Sequence, residues 1–319
     1  MKLIESKVEY IPQEPGIEGV YKQIEFAGRT CYKSENRITE DSAKTFVDNL
    51  KKSGHTAMLE HGTVYLYLKS VGVDKLIGLS DNPYSKVKVV KSDTETGYKG
   101  QPVYHIYATT NMRVLHELDM MFYTQYIKEP TSDYEKRYTF RFTCDRGISH
   151  ELCRHRKLSF AMESQRYCNY SKDKFGGEIT FIIPQYLLEL KEGRYINYNG
   201  DWYSDIEYVD PTDIIMKDSE THNKWNSMLH CFSMAEQEYQ YLLKGATPQE
   251  ARAILPNATK TELVITGFAS DWRFLLDLRL FEKTGKVHPD MKVLMQKFQK
   301  AAEEAGIWKD IMSYPSKFK

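Results

Sequence analysis

Residues 137–144, RYTFRFTC, change polarity at every step. Tyr138, Phe140, Phe142 and Cys144 point one way; Thr139, Arg141 and Thr143 point the other. This period of two requires a strand with two different faces, so the chain must build a sheet that is covered unequally. Asp145-Arg146-Gly147 follows and reads as a turn. Elsewhere the period is helical. Residues 40–53 place Ala43, Phe46, Val47 and Leu50 on one face, and Gly54 ends the helix. A long helix is predicted over 224–244 from Trp225, Leu229, Phe232, Ala235, Tyr239 and Leu242, with Gly245 closing it. Thr247-Pro248-Gln249-Glu250 reads as a capping box with proline at the first helical position, opening a helix that carries Arg252 and stops at Pro256. Residues 271–281 carry Arg273 and Arg279 on a further helix. Residues 289–305 form the last, with Met291, Leu294, Met295, Phe298 and Ala302 on one face.

Further strands are predicted at 64–68, a β-forming run covered on both faces, and at 177–184. Residues 103–110 are either a strand or the start of a helix through 111–126. Strands and helices do not alternate regularly, which favours an α+β fold over a doubly wound sheet. Two polar stretches, 72–110 and 190–221, read as insertions between core elements. There is no internal repeat or Pro/Gly-rich linker, so the expectation is one domain over 1–319, with a mostly antiparallel sheet packed by long helices.

Lys plus Arg and Asp plus Glu both number 44, so the formal net charge is zero. A nucleic-acid binder gains most of its affinity by neutralising phosphates and shows a basic excess; this chain does not. Small anions need only a local cluster of cations. The five cysteines form no C-x-x-C pair, which suits free thiols in a reducing compartment. The first residues lack the apolar core of a signal peptide, and no apolar run has the roughly 18 residues of a membrane span. The expectation is a soluble cytosolic protein.

The stretch 149–167, SHELCRHRKLSFAMESQRY, carries the chemistry. His150 and Glu151 open it like a zinc-protease helix, but the next histidine is His155. Five residues turn an α-helix by roughly 140° beyond a full turn, so the two imidazoles cannot share one ion on one face. Two readings remain open. Arg154, Arg156 and Arg166 form a solvated basic patch, or they line a pocket for anions. The apolar flanks Leu152, Cys153, Leu158, Phe160, Ala161 and Met162 favour the pocket, and arginine forks match phosphate oxygens two at a time. Ser164, the backbone N–H groups after it and Arg166 can together wrap one phosphate. As a nucleophile, Ser164 needs a base, and His155 is the only local imidazole candidate.

RHRKLSFAMESQRY resembles the R-H-R-x7-S signature of the flavin-dependent thymidylate synthases, followed here by Arg166 and Tyr167. GHTAMLEHGT, with His55, Glu60 and His61, resembles a short segment of that family, as do AGRTCY, ARAILP with Arg252 and FLLDLRL with Arg279. The resemblance covers roughly 25–70, 135–185 and 225–305. It implies reductive methylation of dUMP to dTMP, with methylenetetrahydrofolate as carbon donor and FAD, reduced by NADPH, as hydride carrier. It also implies a homotetramer whose active sites are shared between subunits. By position, Arg154, His155, Arg156, Glu60 and His55 are expected at FAD. Glu151, Ser164, Gln165, Arg166, Arg252 and Arg279 are expected at dUMP, with Arg279 and Ser164 the catalytic pair. Ala161, Met162, Ser270 and His288 depart from the family's usual residues. The rival reading is a nucleotide sensor that uses the same arginines without turnover.

Overall fold

The computed structural model describes residues 1–71, 77–172, 175–187, 192–198, 201–204 and 219–318. The alternating segment is a strand, and it lies inside the central sheet. That sheet has the order β2 (Lys7–Tyr10), β6 (Arg137–Asp145), β11 (Lys260–Phe268), β7 (Ser159–Met162), and every pairing is antiparallel. A second antiparallel sheet has the order β3 (Thr63–Ser70), β5 (Pro102–Asn111), β4 (Lys86–Thr96). The third has the order β10 (Asp201–Ser204), β9 (Gly193–Tyr198), β1 (Lys2–Ile4), β8 (Thr180–Ile182), and β1–β8 is parallel. The fold therefore mixes helices and strands as expected, but among the described residues three sheets replace the single antiparallel one.

The helices are α1 (Gly16–Tyr32), α2 (Ser42–Lys52), α3 (Ile77–Ser80), α4 (Met112–Glu117), α5 (Arg146–Leu152), α6 (Ser219–Leu242), α7 (Pro248–Ala251), α8 (Ala269–Arg279), α9 (Pro289–Glu304) and α10 (Trp308–Ser313). The central sheet separates two packing layers, and the period of β6 decides which residues face each. Tyr138, Phe140, Phe142 and Cys144 join Leu263 and Ile265 of β11 against α8 and α9. Phe140 meets Phe298 at 4.3 Å and Trp272 at 5.2 Å between ring centroids. All five residues expected on the buried face of the last long helix, Met291 to Ala302, are fully buried there. On the opposite face Val264 and Ala161 pack against Ala27 of α1. Thr139 and Thr266 hydrogen-bond each other at 2.8 Å.

The α1 layer is itself the floor of the second sheet. Val20 and Ile24 of α1 and Val47 of α2 pack on Val64, Leu66 and Ile106. The third sheet rests on α6 through Phe181 and Phe232, whose rings stack at 4.2 Å. Of the two readings of 103–110, the strand holds: β5 pairs with β3 over Tyr104–Asn111 and with β4 on its other side. Several other expectations need correction. Residues 111–126 hold only the six-residue α4 and a short 3-10 turn, Met121–Tyr126. The strand at 177–184 shrinks to β8. Within 190–221 the described residues form the β9–β10 hairpin and the start of α6; the rest lies outside the described residues. Asp145 is not part of a turn: its carboxylate accepts the Ile148 N–H at 2.8 Å and caps α5.

Candidate functional site

Because β6 ends in a helix cap, α5 starts at once and folds back over the α8 layer, where Ile148 and Leu152 are buried. Residues 153–158 then turn tightly: Arg154 N–H donates to Glu151 O, His155 N–H to Leu152 O and Leu158 N–H to His155 O. This turn carries the three R-H-R residues to the end of α8. There Arg279 Nε donates to His155 Nε2 at 3.2 Å, and Arg279 Nη1 donates to a Glu151 carboxylate oxygen at 2.8 Å. Burial, then the positive charge of Arg279 and Arg154, holds the His155 imidazole down to about 4, so it is neutral at physiological pH. A neutral ring that accepts at Nε2 carries its proton on Nδ1. Arg154 and Arg156 are exposed and have no carboxylate partner among the described residues. A cavity of about 390 Å³ opens beside Glu151, lined also by Asp145, Asn257, Tyr186 and His288.

Ser164, Gln165 and Arg166 lie on the other side of the sheet. β7 runs out at Met162, and the chain is tied to α1 where the Ser164 N–H donates to Cys31 O at 2.9 Å. The Ser164 carbonyl accepts from Tyr167 and Cys168, and its hydroxyl accepts the Arg166 N–H at 3.3 Å. Arg166 is exposed, with its guanidinium over the Tyr167 ring. Tyr167 in turn packs against Tyr32 at 5.4 Å. Gln165 is buried, and its Nε2 has no partner among the described residues.

Beneath this turn lies a charged network that sequence reasoning missed. Glu163, 2% exposed, accepts from Tyr170 at 3.0 Å and from Lys260 at 2.8 Å. Lys260 also pairs with Glu262 at 2.7 Å, and Glu262 with Lys33 at 2.6 Å. Burial pushes the Glu262 carboxyl up, but Lys260 and Lys33 outweigh it and hold the group down to about 2. Burial likewise lowers Lys260, and its two carboxylates more than offset that. The residues come from the end of α1, from just after β7, from the turn at Tyr170 and from β11, so no local spacing could have announced them.

The remaining candidates are dispersed. Glu60 is half-buried and pairs with Arg113 at 2.5 Å. Arg252 and His55 are exposed. Arg252 lies just past α7, whose Glu250 carboxylate accepts the Thr247 N–H at 2.8 Å, the capping contact the sequence implied. A second missed feature is Arg137, buried with no carboxylate partner among the described residues. It donates to Glu60 O at 3.1 Å, and burial draws it down to about 10. His61 next to it bonds Thr266, and burial holds it down to about 3.

A family model described as "Thymidylate synthase complementing protein" matches residues 135–305, the segment from β6 to α9. The chain belongs to that family. It is a member of the flavin-dependent thymidylate synthases, the family its R-H-R-x7-S stretch resembles. The flavin-dependent thymidylate synthase of Corynebacterium glutamicum is 21% identical over 281 residues, covering 87% of this chain and 72% of that protein. That of Mycobacterium marinum is 26% identical over 285 residues, covering 89% and 74%. Among solved structures, a UMP/dUMP methylase, PolB from Streptomyces cacaoi, bound with 5-Br dUMP, gives a TM-score of 0.42 at 17% identity, covering 98% of this chain and 97% of that one. Within the family segment lie the Arg279–His155–Glu151 cluster, the R-H-R turn and the Ser164 turn. No helix among the described residues is long and apolar enough to cross a membrane.

Proposed function

We propose that this member of the family converts dUMP to dTMP, taking the carbon from methylenetetrahydrofolate and using FAD reduced by NADPH. One observation carries the reading: Arg279 is fixed between neutral His155 and Glu151, while Arg154 and Arg156 on the same turn have no carboxylate partner among the described residues. Two guanidiniums two residues apart, without carboxylates, fit a group that brings its own negative charge, such as the diphosphate of FAD. Arg154 and Arg156 would hold that diphosphate, with His155 Nδ1–H as a further donor. Glu60 and His55 complete the proposed cofactor side. Bound there, the flavin supplies the hydride that completes the methyl group.

On the substrate side, the Ser164–Arg166 turn would hold the dUMP phosphate, with Gln165, Arg252 and Glu151 as further contacts. Arg279 would polarise the uracil so that its C5 becomes nucleophilic, which is charge stabilisation by a preorganised cation. Four of the five thiols, all but the exposed Cys231, favour this route over a cysteine nucleophile. Burial pushes Cys31 and Cys168 up to about 12, and raises Cys153 and Cys144 as well. Within one chain the central sheet lies between Ser164 and Arg279. We therefore infer that a complete site takes Ser164–Arg166 from one copy and Arg279 from another, in a homotetramer. The whole domain, residues 1–319, is the unit we propose for this assembly.

The test is the visible spectrum of the purified protein with added FAD, then NADPH, with and without dUMP. The expected result is a bound-flavin spectrum that bleaches with NADPH at a rate sensitive to dUMP, followed by dTMP when the folate is added. A protein that binds dUMP but leaves FAD free in solution sinks the enzyme reading and leaves a nucleotide sensor.

A further inference from the structure

We propose that the segment after α10, residues 314–318, is a strut that orients His155 toward the cofactor through Phe274. This rests on the flavin reading above and adds residues outside the 135–305 family segment. The strut is well anchored. Ile311 of α10 is fully buried in the α8–α9 cluster, the Tyr138 hydroxyl donates to Asp310, and Arg273 Nη1 lies 2.9 Å from the Met312 sulfur. From this anchor the chain returns to α8. The Phe318 ring stacks on Phe274 with centroids 5.7 Å apart and planes at 17°, while the Lys317 ammonium sits 5.1 Å from the same ring centroid. Phe274 then meets the His155 ring edge to face, at 6.4 Å and 69°.

His155 is therefore held at two points. Arg279 fixes Nε2, and the Phe274 ring, backed by Phe318 and Lys317, fixes the plane. Together they set where the Nδ1–H points. An imidazole held by one hydrogen bond alone can swing about it, and each degree of swing weakens a donor bond that depends on direction. Lys317 and Phe318 have no hydrogen bond to the cluster itself. Their contribution runs through ring contacts, which makes them positioning residues.

The experiment measures FAD affinity by flavin fluorescence and dUMP affinity by calorimetry for the full chain and for Phe318→Ala, Phe318→Trp and Lys317→Met. Thermal unfolding is followed in parallel. Phe318→Ala should weaken FAD by about threefold to tenfold, the effect of losing one aromatic pair, and leave dUMP affinity unchanged. Phe318→Trp should restore FAD binding, and Lys317→Met should fall between. If the wild-type chain binds FAD and Phe318→Ala binds it equally well, the strut is refuted while the flavin reading stands. Equal loss of FAD and dUMP affinity in Phe318→Ala, with Phe318→Trp failing to rescue, also refutes it, because that is general loosening. A wild-type chain that binds no FAD removes the flavin reading and the strut together.

Discussion

Replacing Lys260 by methionine tests whether the network under the Ser164 turn acts as a buried charge system. Methionine keeps most of the stem volume but removes the ammonium. Among the described residues Glu163, 2% exposed, would keep only the Tyr170 hydroxyl, and Glu262 would keep Lys33. Removing one partner of a buried pair costs about 3–5 kcal/mol, because the other charge is left uncompensated. The surviving Lys33 contact places Lys260→Met near the lower end. At about 2 °C per kcal/mol for a large domain, the melting temperature should fall by about 6 °C. The double variant Glu163→Gln, Lys260→Met should recover part of this loss, since Glu163 then carries no charge. The pH profile adds a second check. Glu262 titrates at about 2 in the folded chain, against 4.5 ordinarily, so its contribution is present above 4.5 and lost as pH falls through 2. Lys260→Met should shrink that acid-side loss. Urea unfolding at neutral and acid pH reads both effects. A cost below about 1 kcal/mol with an unchanged acid profile would refute the reasoning, and would mean that water reaches these groups.

Three other outcomes are expected. Arg166→Ala should weaken dUMP binding by about tenfold or more, the loss of a charge-assisted phosphate contact, while FAD affinity stays put; calorimetry reads both. His155 has a folded value of about 4 against 6.5 ordinarily, so the unfolded chain takes up its proton first as pH falls. Stability should drop from pH 6.5 toward 4 by up to about 3 kcal/mol from this group, and His155→Gln should flatten that slope in denaturant titrations. Gly19 lies where an added Cβ would come within 1.8 Å of the Glu14 carbonyl oxygen. Gly19→Ala should therefore cost about 1–3 kcal/mol in thermal unfolding, and a neutral result would show that the loop before α1 yields freely.

The sequence determined by itself whatever depends on local period and local chemistry. The two faces of β6, the buried face of α9, the Thr247–Glu250 cap and the R-H-R-x7-S stretch were all readable from spacing. β11 was not. Its run Glu262-Leu263-Val264-Ile265 is flanked by β6 and β7, and only that flanking makes it the centre of a sheet. β5 was half legible: residues 103–110 suited either a strand or a helix start, and the pairing with β3 over Tyr104–Asn111 decides for the strand. Tertiary structure alone decided which charges meet. Arg279 reaches Glu151 across 128 positions, Lys260 reaches Glu163 across 97, and Phe318 reaches back to Phe274. Contacts at that range are chosen by how whole layers pack. Residue type tells only which groups can pair, and the fold decides which of them are brought within 3 Å.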